Sequence, residues 1–222
     1  MRRLKMLLAS WLGIMGLTLI FLLPRALADS IPLSLSIPNS ALSGVTGPYG
    51  TVVVNRTDST HATITFTASS GFLFTDGSSA AVNVQATSFT VSNLVGFNLG
   101  SPHSVPILTT TSGQVDGFGN FNLVIDNFDS FTNATNMISF VLTRTSGAWT
   151  SAMDVLSVAA AHIGVCNVGC SAFFIPGIEG GTGFARTQEA VVPEPATVLL
   201  VGTLLSGLGF FGRKKFIETL RN

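Results

Sequence analysis

Between residues 51 and 165 apolar and polar side chains alternate in short runs. In Thr63-Ile64-Thr65-Phe66-Thr67-Ala68 the apolar residues fall on one face and the threonines on the other. Val82 and Val84 alternate with Asn83 and Gln85, while Phe121, Leu123 and Ile125 repeat at period two, as do Ile138, Phe140 and Leu142. A period of two is that of a pleated strand with one face buried. Gly, Asn, Asp or Ser bound each run, as expected of turns. Asp58-Ser59-Thr60 predicts a turn joining strands near 51–56 and 61–68, and Asp76-Gly77 predicts another. Ala159–Val165 reads as a further strand, and Pro176–Gly183 as a Gly-rich loop. Helical periodicity is confined to Thr150–Leu156. The pattern therefore predicts an all-β domain over residues 29–184, an antiparallel β-sandwich or a jelly-roll-like barrel with a core of Phe, Val, Ile and Leu.

The two ends follow a different rule. Arg2, Arg3 and Lys5 precede an eighteen-residue apolar run, Met6–Leu23; Pro24 then breaks it, and Ala26-Leu27-Ala28 follows. A cationic start, an apolar stretch and a small–x–small site make a secretory signal peptide over 1–28, with cleavage between Ala28 and Asp29 by signal peptidase. At the other end Pro193-Glu194-Pro195 is followed by the seventeen-residue span Ala196–Gly212 and then by Arg213-Lys214-Lys215. Such a span covers about 25 Å as a helix, just short of a bilayer's hydrocarbon core. The basic cluster after it acts as a cytoplasmic stop and leaves residues 29–192 outside. Residues 185–192 read as a tether between the domain and this segment.

The order Pro-Glu-Pro, apolar span, basic cluster, with a signal peptide at the opposite terminus, resembles the PEP-CTERM sorting signal of exported Gram-negative bacterial proteins. The resemblance covers about thirty residues, 193–222, and leaves the central domain unassigned. It implies recognition by an exosortase, cleavage near Pro193–Pro195, transient residence in the inner membrane, and a destination at the cell surface or in an exopolysaccharide matrix. With that destination, the central domain is expected to be structural or adhesive.

Charge narrows the partners further. Only 10% of the chain is charged and 46% is apolar, with a mean hydropathy of +0.54. Eight of the eleven cations lie in the two ends; between Asp29 and Val192 there are three (Arg56, Arg144, Arg186) against nine carboxylates. A domain carrying six surplus negative charges has no basic face with which to neutralise phosphates, which excludes a nucleic-acid binder.

Candidate chemistry in the middle is sparse. Cys166 and Cys170 are the only cysteines, and Asn167-Val168-Gly169 between them suits a tight ring, so an exported chain is expected to pair them as a disulfide. Asp116-Gly117-Phe118-Gly119-Asn120, followed by Asp126 and Asp129, gathers oxygen atoms of the kind calcium takes, or else is a hairpin turn with solvated carboxylates. The turn is the favoured reading, because the regular ligand spacing is missing and Phe118 stands where a ligand would be needed. No cofactor is expected. A glycan hydrolase needs two carboxylates at a set separation, and Asp126 with Asp129 would have to converge to supply them. The three histidines, His61, His103 and His162, come with no Gly-x-Ser-x-Gly elbow. An enzyme is therefore not expected. A carbohydrate-binding module for matrix polysaccharide is the alternative, with Trp149 either a stacking platform for sugar or a filler of the core, the core being favoured.

Overall fold

The computed structural model describes residues 28–98, 101–103, 111–128, 130–167, 170–175 and 181–189. Ala26, the Pro193–Pro195 tripeptide, the span 196–212, the cluster Arg213, Lys214 and Lys215, and Asp129 lie outside the described residues. So does most of the signal peptide. Among the described residues no helix is long and apolar enough to cross a membrane.

The alternating runs become strands of two antiparallel sheets. The first contains β1 (Asp29–Leu35), β3 (Gly50–Arg56), β4 (His61–Ala68), β7 (Phe89–Asn98), β8 (Ser101–His103) and β11 (Met137–Arg144), in the order β1-β3-β4-β11-β7-β8. The second has the order β2-β13-β12-β6-β10-β9, from β2 (Ile37–Pro38), β6 (Ala80–Val84), β9 (Thr111–Val115), β10 (Gly119–Ile125), β12 (Leu156–Val165) and β13 (Thr182–Arg186). A short strand, β5 (Phe72–Phe74), also pairs with β12. The expected turn at Asp58 closes the β3–β4 hairpin: the Asp58 carboxylate accepts the N–H groups of Thr60 (2.7 Å) and His61 (2.8 Å). Mainly through the Thr60 N–H, with the His61 ring and the Thr60 hydroxyl adding to it, the Asp58 carboxyl is held at about 2.

Because side chains alternate along each strand, each sheet contributes an apolar face to a shared core. Val52, Ile64, Phe66, Ile138, Phe140 and Leu142 of the first sheet and Val82, Leu123, Ile125, Ala159 and Ile163 of the second belong to one buried cluster. Phe66 stands edge-on to Phe74 with ring centroids 6.0 Å apart, and stacks with Phe140 at 6.4 Å.

Four local expectations are corrected. Thr150–Leu156 forms no α-helix: the Asp154 carboxylate gathers the N–H groups of Thr150 (3.0 Å) and Ser151 (2.9 Å) into a capping box around a single 3-10 turn, Ala152–Asp154, after which Leu156 enters β12. Phe121 does not share a face with Leu123 and Ile125. A bulge between Phe121 and Val124 flips the parity of β10, and the Asn122 side chain fills the gap by accepting the Val84 N–H (2.7 Å) and donating to the Val84 carbonyl (2.8 Å). Further, β13 runs through residues 185 and 186, and Thr187 is buried with its hydroxyl on the Ala159 N–H (3.1 Å). The domain therefore continues past residue 184 into the stretch expected to be tether. Gly183 is packed against Leu42 and Ala41 and pairs with Ile163, so the Gly-rich stretch ends as strand rather than loop.

Candidate functional site

The second sheet is buried on both faces. Ala80 and Val82 face the common core, whereas Ala81 faces away; Ala159 and Ala161 face the core, whereas Ala160 faces away. The outward residues form a second cluster, Ala81, Val115, Phe121, Val124, Val158 and Ala160, against which Phe118 and Phe184 pack. The cover comes from the β9–β10 hairpin. In the strand order β9 and β10 lie at one end of the sheet and β2 and β13 at the other. Yet Asp116 in the hairpin turn accepts a hydrogen bond from Asn39 Nδ2 (3.3 Å), beside β2, and the Arg186 guanidinium of β13 sits 5.6 Å from the centre of the Phe118 ring. The hairpin tip must therefore fold back across β6 and β12. The bulge at Asn122 supplies the bend, since bulged strands curve and twist more sharply.

Two residues fix the tip in place. Asn39 is buried, and its side-chain oxygen accepts the Phe184 N–H (3.1 Å) while its amide reaches Asp116. Gly117 has φ +80° and would bring a Cβ within 3.0 Å of the Asn39 Cβ, so both the left-handed backbone and the close approach call for glycine. Beneath the tip is a cavity of about 340 Å³ whose lining includes Asn83, Phe118, Phe121, Val158, Arg186 and Glu189. It is half open, and its exposed lining is mostly polar, with an amide, a guanidinium and a carboxylate beside a smaller apolar part from the phenylalanines and Val158. Sequence reading assigned Arg186 and Glu189 to the tether and missed both. The available signal was that Arg186 is one of only three cations between Asp29 and Val192.

The oxygen-rich stretch does not gather into a calcium site. Asp116 and Asp126 flank opposite ends of β10, about 20 Å apart at strand rise. Asp116 is engaged by Asn39, Asn120 is paired with Gln114, and Asp126 accepts the N–H groups of Gly77 (2.8 Å) and Ser78 (3.3 Å). Among the described residues no three His, Cys, Asp or Glu side chains come together as metal ligands. Among the described residues the stretch is a hairpin, and Asp116 and Asp126 are turn and bracing groups.

Trp149 is not an exposed platform. It is 1% exposed, belongs to the common core, and donates its indole N–H to the Gln85 carbonyl (3.0 Å). The Arg144 guanidinium lies 5.8 Å from its ring centre. Cys166 and Cys170 form the expected disulfide, after β12. Its loop is braced a second time by Asn167, whose side-chain oxygen accepts the N–H groups of Ser171 (2.8 Å) and Ala172 (3.1 Å).

Of the histidines, His61 pairs with Asp58 (2.9 Å) in an exposed turn. His162 occupies a more constrained place. β5 and β6 both pair with β12, so residues 75–79 are a loop interrupting what would otherwise be one strand. The loop is pinned by the Asp126 carboxylate, by Ser79 Oγ donating to the Asn127 carbonyl, and by His162 Nδ1–H donating to the Asp76 carbonyl. The imidazole stacks on Phe184 with centroids 4.2 Å apart. Burial holds His162 below its usual range, and the nearby Asp76 and Asp126 only partly oppose that. A histidine whose folded pKa is depressed binds fewer protons than in the unfolded chain, so stability falls as pH drops through about 6.5 and levels off below the folded value. Thermal melts between pH 8 and pH 5 should show this decline, and His162→Gln should flatten it. The Asp58 contribution is lost only at much lower pH, between about 4 and 2.

Comparison with protein-family models, with curated proteins and with solved structures gave no match for this chain.

Proposed function

We propose that the chain is an exported protein of PEP-CTERM type, made with a cleaved signal peptide, held briefly in the inner membrane of a Gram-negative bacterium by residues 196–212, and then sorted by an exosortase to the cell surface or the exopolysaccharide matrix. The observation that carries this reading is the fixed order of Pro193-Glu194-Pro195, an apolar span and Arg213-Lys214-Lys215, opposite a signal peptide. Two features of the fold support it. β1 begins at Asp29, the first residue after the expected cleavage site, so removal of residues 1–28 leaves every strand intact. The disulfide suits an oxidising exterior. The domain is read as a β-sandwich, because its two sheets share one core, and its role as structural or adhesive rather than catalytic. The carbohydrate-binding alternative loses its original basis, since Trp149 is enclosed.

The test is a chain in which Pro193, Glu194 and Pro195 are all replaced by alanine, expressed in an exosortase-bearing host. The altered protein should accumulate in the inner-membrane fraction instead of at the surface or in the matrix. Unchanged release would overturn the assignment.

A further inference from the structure

We infer that the cavity under the β9–β10 tip binds a neutral sugar unit, with Phe118, Arg186, Glu189 and Asn83 as its contacts. This deepens the matrix reading and rests on it for a biological setting. At about 340 Å³ the cavity lies at the small end of the range for ligand sites, about 300–1,000 Å³. Phe121 and Val158 line its inner side, and both are buried on the outer face of the second sheet, so they expose only a small apolar patch. Phe118 is half-buried beside them and carries the Arg186 guanidinium over its ring.

The rim decides the ligand class. Arg186 offers only donors and Glu189 only acceptors. Asn83 has its side-chain oxygen taken by the Asn122 N–H (3.0 Å) and donates one amide hydrogen to the Asn120 carbonyl (3.5 Å), so it contributes its second amide hydrogen as a donor. A mostly polar lining of donors and an acceptor beside a small apolar patch matches a sugar ring, whose vicinal hydroxyls both donate and accept while its C–H face needs only limited aromatic carbon. Arg186 and Glu189 offset each other at the rim, so neither charge is selected there, and the domain's six surplus negative charges disfavour a uronate; an uncharged unit is the choice that needs no counter-charge. The site is also pre-organised. Arg186 is stacked on Phe118, and the hairpin tip is clamped by Asn39. Little ordering is then left for the ligand to impose.

The experiment uses the full chain in a zwitterionic detergent without a sugar headgroup. Cellotetraose and maltotetraose serve as neutral probes and a galacturonate tetramer as the charged control, read by saturation-transfer NMR and calorimetric titration. At least one neutral tetramer should bind in preference to the galacturonate. Glu189→Gln should weaken it by about tenfold with an unchanged melting temperature, as loss of a charge-assisted hydrogen bond predicts. Phe118→Ala should weaken it further. Failure of both neutral probes to bind, preference for the uronate, or affinity untouched by both substitutions would overturn the inference. No producing host is involved, so such a result would leave sorting at Pro193–Pro195 standing.

Discussion

Trp149→Ala should destabilise the domain by about 3–5 kcal/mol, the range for emptying a buried large aromatic site. Trp149 is 1% exposed and packs in the cluster shared by both sheets. Truncation leaves a cavity too constrained to collapse, because its walls are the paired strands themselves. It also strands the Gln85 carbonyl, which accepts the indole N–H, and removes the surface under the Arg144 guanidinium. For a domain of this size the melting temperature should fall by roughly 6–20 °C. Trp149→Phe should recover most of the packing but not the hydrogen bond, and so should fall in between. If instead Trp149→Ala left the melt unchanged and abolished polysaccharide retention, the tryptophan would have to be an exposed platform after all.

Arg56→Ala should have the second-largest effect, about 2–4 kcal/mol, through lost packing of a long side chain and an ion pair left half-made. Arg56 ends β3 at 2% exposure, and its Nε donates to the Asp29 carboxylate at 2.6 Å. The other Asp29 oxygen accepts the Ala152 N–H at 2.7 Å, tying the start of β1 to the 3-10 turn that leads into β12. The first residue after the expected signal cleavage is thus a structural junction. Asp29→Asn keeps the shape and removes the charge; since Asp29 is 41% exposed on its side chain, water compensates in part and the loss should be smaller than for Arg56→Ala. Denaturant melts of the two variants side by side provide the check, with Asp29→Asn the milder.

In the first sheet β3, β4 and β11 were legible in the sequence because each buries one face, whereas β1, β7 and β8 were not read from it. Ile64 and Phe66 face inward with threonines between them, and hairpin β3–β4 carries its Asp58 turn signal. In the second sheet β6, β10 and the later part of β12 were read as strands, but their facing and extent were not. β12 reads Leu-Ser-Val-Ala-Ala-Ala-His-Ile-Gly-Val, with both faces covered and a register shift between Leu156 and Ala159, so period two is lost. The reversal at Phe121 depends on Asn122 substituting for backbone pairing, a contact between β6 and β10 that local pattern cannot reveal. The cavity was illegible for a related reason. Its parts come from residues 83, 118, 121, 158, 186 and 189, and a hairpin folding across two strands brings them together. Phe118 stood out in the sequence only as a residue unfit to hold calcium. In contrast, the disulfide needed no long-range information, since its cysteines are four residues apart.

Delivery to the outside and release by processing at both ends are tested most directly by the intact mass of the protein recovered from a host with an exosortase and from one without. A chain beginning at Asp29 is expected in both hosts, and one ending near Pro195 only where the exosortase is present. A chain that retains residues 196–222 in both hosts, or keeps residues 1–28, would contradict such processing.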